Sequence, residues 1–423
     1  MSIKRFSPAC SPAIILYERY LFFSLAKPVR ECREHGEMKI NPFEVTFTPL
    51  AGSTFTNLLR LLAQNRFRIG LVGLPRIAYS VLMSLLLSPF NAYETIRFRR
   101  EIEATRIEKP PLFIIGHWRS GTTYLHNLLS QDPRFCYPTT FQTVTPGLFL
   151  RFEKLIKPLV AASLPPTRPE DNVPLGADLP QEEEYAMGNL SPYSFYNGWC
   201  FPRNMRFYHR FVCMEEVSPR RIEEWKRTYR YFLKKVTLAC GGKRLLVKNP
   251  ANTPRIKHLL EMFPDANFVH IYRNPYHTFL SMKRNIEMEM TLYCVQRPYS
   301  QRVNEQLMVR LYNHMFDIFF RDRELIPRGN LVEVSYEDLV ANPLLVVRHI
   351  YEALNLPGFH QVEPVLQQFV RAQSSVKPHR YVIGERLQAH IYSQLHSTID
   401  RWGYSAKAED AENDVVARNT LPG

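Results

Sequence analysis

The chain is predicted to fold as an α/β protein: a three-layer domain around a central parallel sheet, P-loop-like in its first turn, preceded by a helical N-terminal extension. Three observations carry that prediction. Four short apolar runs, Leu112–Ile115, Leu245–Val247, Asn267–Tyr272 and Leu331–Val334, are each followed by a helical pattern instead of a hairpin turn, as in strands covered on both faces. The first run leads straight into Gly116-x-x-x-x-Gly121 and then a helix-like segment. The texture of the chain changes at Lys109-Pro110-Pro111, before which it is apolar, basic and helix-like.

The composition supports a folded protein with an anionic partner. With 45% hydrophobic, 13% aromatic and 22% charged residues, the 423-residue chain can bury a large core, which excludes a disordered chain. A formal net charge of +14 suits nucleic acid, a phospholipid surface or a phosphorylated small molecule. No nucleic-acid motif supports the first of these. Seven cysteines without a C-x-x-C pair read as reduced, buried thiols in a cytosolic protein.

Within the extension, residues 1–108, the apolar stretches Ala13–Tyr17 and Leu21–Ala26 are interrupted by Glu18 and Arg19, which makes a poor signal peptide. The run Ile77–Leu87 ends at Ser88-Pro89 and falls short of the roughly 20 residues needed to span a bilayer. Three readings stay open: a core or dimer helix, a membrane-surface helix flanked by the basic run Arg97–Arg100, and, last, a true span. Residues 109–408 form the expected catalytic domain and the polar segment 409–423 a flexible tail. Between the first two strands lies an insertion of about 130 residues, the size of a binding loop or lid. Its part 164–218 holds the Pro-rich stretch Leu164–Pro180 and the aromatic cluster Tyr193, Phe195, Tyr196, Trp199 and Phe201, and is the expected acceptor-binding region.

The segment Pro111–Leu129, PLFIIGHWRSGTTYLHNLL, is the most informative. Strand, glycine-bounded turn and helix together aim backbone N–H groups and a helix N-terminus at an anion. The P-loop of nucleoside triphosphatases places Lys and then Ser/Thr after the second glycine, but here Thr122 and Thr123 follow Gly121, and the nearby cation is Arg119. A nucleotide-dependent phosphotransferase or kinase is the alternative reading, and the missing lysine weakens it. The second and third strands end at Lys248-Asn249-Pro250 and Arg273-Asn274-Pro275, without the acidic residue that would hold magnesium.

Arg119-Ser120-Gly121-Thr122-Thr123, with Val269–Pro275 and Ser281 downstream, resembles the sulfotransferases that use 3′-phosphoadenosine 5′-phosphosulfate (PAPS). The similarity is greatest to the bacterial-type branch with an R-S-G-T-T loop, and it covers roughly residues 110–355. The resemblance implies that Arg119, Ser120, Gly121, Thr122 and Thr123 grip the 5′-phosphosulfate. It also implies that Arg273, at a strand end, and Ser281, eight residues later, hold the 3′-phosphate, that Lys248 lies near the transferred group, and that Tyr336 of Tyr336-Glu337-Asp338-Leu339 lies near the adenine. A late basic loop, Ser375–Arg380, would bring Lys377 or Arg380 to the nucleotide.

In-line sulfuryl transfer develops negative charge on the leaving oxygen, which preplaced cations stabilise. Arg119 and Lys248 are the candidates, and no metal is expected. The acceptor hydroxyl also needs a base. No histidine follows Lys248, and Pro180–Glu184 resembles the family's P-Q-E-x-E segment, so Glu184, then Glu182, is favoured, with His117 as rival. An acidic first turn satisfying a helix dipole is the plain alternative. His126, His270 and His277 read as structural. The acceptor is a hydroxyl-bearing small molecule, lipid or glycan, and a lipid, sterol or other hydrophobic alcohol is favoured over a highly polar glycan. The enzyme would be cytosolic, with peripheral membrane contact through the extension.

Overall fold

A computed structural model describes residues 48–168, 173–373 and 383–404. The stretches Ala13–Tyr17 and Leu21–Ala26, the Ser375–Arg380 loop with Lys377 and Arg380, and the 409–423 tail lie outside them. The core is a five-stranded, all-parallel sheet in the order β2-β3-β1-β4-β5, with β1 Leu112–Ile115, β2 Phe135–Cys136, β3 Arg244–Lys248, β4 Asn267–Tyr272 and β5 Leu331–Ser335. Four strands correspond to the four apolar runs. The fifth, β2, is only two residues long and carries no periodicity to read.

Neighbouring residues on a strand point to opposite faces, so each strand feeds two cores. Phe113, Ile115, Leu245, Val247 and Phe268 enter one cluster, whereas Leu112, Ile114, Leu246, Val269 and Ile271 enter the other. On the second face pack α3 (Thr122–Leu129), α14 (Pro343–Ala353) and α15 (Phe359–Gln373), through Leu125, Leu128, Val347, Ile350 and Leu366. On the first pack α9 (Pro219–Ala239), α10 (Ile256–Met262), α11 (Pro275–Tyr293), α12 (Gln301–Asp322) and α16 (Glu385–Arg401). The short α13 (Tyr336–Ala341) follows β5 directly. The three layers expected from the sequence are these two helical layers and the sheet.

The insertion between β2 and β3 is helical as well: α4 (Thr140–Val144), α5 (Glu153–Ser163), α6 (Glu183–Leu190), α7 (Asn197–Cys200) and α8 (Met205–Cys213) precede α9. A disulfide joins Cys136 in β2 to Cys240 at the end of α9, with Cα atoms 6.2 Å apart. That corrects the reading of all cysteines as reduced thiols, because parallel packing brings two residues 104 positions apart within bridging distance. Cys200, Cys213 and Cys294 are buried and free.

Two helices of the extension are described, α1 (Phe55–Gln64) and α2 (Leu74–Ala104). Pro89 does not end α2, and Arg97–Arg100 continues the helix instead of flanking it. Contacts on both sides of the proline hold the helix in place. Ser84 donates to the Ser53 carbonyl at 2.8 Å, and buried Glu94 pairs with buried Lys235 of α9 at 2.6 Å. A helix of 31 residues also removes the objection that the apolar run is too short to span a bilayer, and by length and composition the segment Leu71–Arg97 could cross one.

The acidic run at 182–184 ties α6 to the sheet. Glu184 is fully buried. Its carboxylate accepts from Arg255 at 2.8 Å, Asn249 at 2.9 Å, Ser194 at 2.9 Å and the Phe195 N–H at 3.0 Å. Burial alone would raise its pKa, but the Arg255 guanidinium and these hydrogen bonds hold the carboxyl below its ordinary value. Removing one member of such a pair strands the other charge in the core, at a cost of about 3–5 kcal/mol. Glu184→Gln is therefore expected to lower stability by that order in urea unfolding at neutral pH. Because the folded-state pKa is depressed, this contribution is present above the ordinary carboxylate pKa and is lost as the pH falls. The gap between variant and parent should narrow in acid.

Candidate active site

The carboxyl ends of β1, β3, β4 and β5 meet where the strand order reverses around β1, the usual place for a ligand in an open parallel sheet. Gly116 closes β1 at φ 146°, and its backbone is clamped by Thr253, whose hydroxyl accepts from the Gly116 N–H at 2.8 Å. The Ser120 hydroxyl donates to the His117 carbonyl at 2.7 Å, which folds the loop on itself. Gly121 is left-handed at φ 95°, and a side chain there would run into the Tyr336 ring. Arg119 is also left-handed, at φ 69°. A non-glycine residue held there costs energy that the surrounding structure must offset.

That conformation turns the Arg119 side chain toward α11, where its Nε donates to Ser281 Oγ at 3.0 Å. Its carbonyl accepts from Arg273 at 3.1 Å, and the Arg273 guanidinium lies 4.3 Å over the Tyr336 ring. The structure thus gathers Arg119, Ser281, Arg273 and Tyr336, from three separated stretches of the chain, around the turn formed by Ser120, Gly121, Thr122 and Thr123. Two features fit an anionic nucleotide. Arg273 Nε is buried without a hydrogen-bond partner, and α3 begins at Gly121 without a side-chain cap on its first N–H groups.

Lys248, at the end of β3, is almost fully buried. Its ammonium donates to Thr123 Oγ1 at 3.3 Å and is ion-paired with Glu182 Oε1. Burial depresses its pKa and Arg168 adds to the effect, whereas Glu182 opposes it. The other oxygen of Glu182 accepts from the Tyr196 hydroxyl, which burial and the neighbouring carboxylate hold strongly protonated. Glu182 is the N-cap residue of α6. It lines a pocket with Arg119, Thr123, Arg168, Tyr196 and Glu289.

The three adjacent carboxylates therefore differ completely in surroundings. Glu182 faces the pocket. Glu183 is buried and accepts from Tyr229 at 2.7 Å and Asn252 at 2.7 Å, with its pKa raised chiefly by burial. Glu184 has its oxygens engaged in the core by Arg255 and its neighbours. His117 is buried, its pKa lowered by burial to about 4, and its Nδ1 lies 2.8 Å from the Trp118 carbonyl. It lines two apolar cavities and not the pocket of Glu182. His126 and His270 are buried, the latter paired with Glu333 across β4 and β5 at 2.8 Å, and His277 is kept neutral by burial and by Arg273.

Sequence reasoning did not single out Arg168, Glu289 or the Tyr196 contact with Glu182. Tyr196 stood out only as one of an aromatic cluster. An apolar cavity lies on the far side of the Trp118 and Phe195 rings, whose centroids are 4.9 Å apart. It is lined by Phe195, Trp199, Met205, Met282, Ile286 and Met290. Asn285 and Glu289 of α11 face the polar pocket, and Ile286 and Met290 of the same helix face the apolar one.

Residues 110–361 match the model of the Sulfotransferase family. Two curated relatives, from Mycobacterium bovis and Mycobacterium tuberculosis, are each named omega-hydroxy-beta-dihydromenaquinone-9 sulfotransferase Stf3. Each is 34% identical over 362 residues, 84% of this chain and 90% of the relative. Among solved structures, sulfotransferase STF9 from Mycobacterium avium superposes with a TM-score of 0.58 at 19% identity, over 82% of this chain and 96% of that one. Sulfotransferase STF1 from Mycobacterium tuberculosis gives 0.50 at 17% identity, over 80% and 99%. These likenesses establish the fold, while the family match and the curated relatives decide between sulfuryl and phosphoryl transfer. The chain belongs to the sulfotransferase family.

Proposed function

We propose that this enzyme transfers the sulfuryl group of PAPS to the hydroxyl of a hydrophobic, lipid-like alcohol, in peripheral contact with a membrane, with residues 109–408 as the catalytic domain. The observation that carries the reading is Glu182, held between Lys248 and Tyr196 beside the Arg119 loop.

On this reading the 5′-phosphosulfate sits on the turn of Arg119, Ser120, Gly121, Thr122 and Thr123, with Arg273 and Ser281 on the 3′-phosphate and Tyr336 near the base. Glu182 accepts the proton of the acceptor hydroxyl as its oxygen bonds to sulfur. The bond from sulfur to the bridging oxygen breaks, and 3′-phosphoadenosine 5′-phosphate leaves. Lys248 and Arg119 stabilise the charge that gathers on that oxygen. In the absence of donor, Lys248 neutralises Glu182; a bound phosphosulfate competes for the ammonium and frees the carboxylate to act. Tyr196 is a positioning residue that fixes the orientation of Glu182. Glu184, which the sequence favours over Glu182, has both oxygens engaged by Arg255, Asn249, Ser194 and the Phe195 N–H and serves the core.

The acceptor class is supported by the apolar cavity next to the pocket, lined by flexible methionines that adapt to an irregular guest, and by the lipid-like substrate named for the two relatives. Titration calorimetry with 3′-phosphoadenosine 5′-phosphate should show binding that Arg273→Ala weakens about 10- to 100-fold, as for a lost charge-assisted contact. No binding, or unchanged affinity in the variant, would overturn the donor assignment. Glu182→Gln is expected to lower kcat about 10²- to 10⁴-fold, in the range of general-base catalysis, with nucleotide binding retained; because it leaves buried Lys248 without its counter-ion, it should also lower the thermal midpoint. Retained turnover would remove Glu182 as base. In extracts of the source cells given PAPS labelled at sulfur, label should enter material soluble in organic solvent; label confined to polar carbohydrate would reject the hydrophobic acceptor.

A further inference from the structure

Helix α2 is apolar on its outer side, and its inner side carries polar groups beside Ile77, Val81 and Leu87, which pack against the core. The side turned to the protein carries Arg76, Ser80, Ser84 and Glu94, all buried. Arg76 donates to the Cys294 carbonyl at 2.9 Å, Ser84 to the Ser53 carbonyl, and Glu94 pairs with Lys235. The side turned outward carries Leu82, Leu85 and Leu86, exposed by 53%, 54% and 56%, with Leu74, Tyr93 and Ile96 extending the same stripe. No Asp, Glu, Lys or Arg occurs between Arg76 and Glu94. A second helix widens the surface: Phe152, just before α5, packs edge-on against Phe90 at 5.1 Å and Tyr93 at 5.7 Å, and Leu155 and Leu159 of α5 are also exposed. A surface helix ordinarily shows the opposite pattern, and a continuous exposed apolar surface of this length marks an interaction site.

From these observations we propose that the outer face of α2, with α5 beside it, is a docking platform for an anionic lipid bilayer, and that α2 lies along the membrane plane. The orientation follows from the inner face. A helix crossing the bilayer would have to withdraw Arg76, Ser84 and Glu94 from their buried partners, whereas a helix lying flat keeps them and buries only its leucines. The choice of a bilayer over a second copy of the chain follows from charge. Exposed arginines stand at both ends of the stripe, Arg66 and Arg68 before it and Arg97, Arg99 and Arg100 at its end. Glu101 and Glu103 pair with only two of them, Arg97 and Arg99. Two copies meeting along the stripe, parallel or antiparallel, would set arginines against arginines. An anionic lipid surface meets every one of them with opposite charge. This deepens the peripheral contact proposed above, and it is tested without donor or acceptor, so its failure would leave the sulfuryl-transfer reading untouched.

The test is cosedimentation of the full chain with vesicles of phosphatidylcholine, alone or mixed with phosphatidylglycerol. Binding is expected to the mixed vesicles and to weaken as salt is raised. Combined Leu82→Ser, Leu85→Ser and Leu86→Ser should reduce it at least about tenfold, since the lost apolar burial is substantial. An unchanged thermal midpoint checks that the variant is folded. Arg66→Glu with Arg100→Glu should reduce binding to mixed vesicles toward the level seen with phosphatidylcholine alone. The proposal is overturned if the parent chain does not bind mixed vesicles, if the serine variant binds as well as the parent, or if ultracentrifugation finds instead a dimer that the serine substitutions dissociate.

Discussion

The burial of three successive carboxylates at the head of α6 is the constraint on which the site depends. An unpaired buried carboxylate is costly, so each of the three needs its own partner. Glu184 takes Arg255, Asn249 and Ser194, Glu183 takes Tyr229, Asn249 and Asn252, and Glu182 takes Lys248 and Tyr196. Those partners come from β3, the turn after it, α9 and the segment leading into α7. Satisfying them fixes the insertion against the carboxyl edge of the sheet. Once Glu183 and Glu184 are anchored, Glu182 is left at the rim with one oxygen toward the cation at the end of β3. The polar pocket is thus a consequence of how two buried neighbours are held.

The same principle operates at α2. Its inward polar groups are each matched by a fixed partner, so the helix is locked in rotation and presents its leucines outward. Burial of polar side chains in both places sets which residues remain available to ligands.

Much of the architecture could be read from residue patterns. Leu112–Ile115 and Asn267–Tyr272 are strands over the residues expected, and the other two runs are extended by one or two residues. Short continuous apolar strands separated by helical segments have few alternatives to a parallel sheet. The loop was legible because its chemistry is local: two glycines, a cation and a helix start within one turn. Arg273 and Ser281 were singled out by the resemblance, and the eight residues between them, about two helical turns, are compatible with both reaching the same edge. Long-range pairings were not legible. Cys136 and Cys240 meet through the packing of α9 on β3, and Pro89 is accommodated by contacts from elsewhere in the chain.

By itself the sequence determined the class of fold, the strand-loop-helix that suits an anion, and the cations Arg119, Lys248 and Arg273 at the strand ends. These follow from spacing and residue type within short stretches. Tertiary structure alone decided which of three identical acidic residues faces the pocket, and that Tyr196 holds it. Adjacent residues at a helix start point about 100° apart, so their directions depend on how the whole helix is seated. It also decided that α2 turns its leucines away from the core. Composition states that a helix has two faces; only the partners waiting for Arg76, Ser84 and Glu94 determine which face is turned inward.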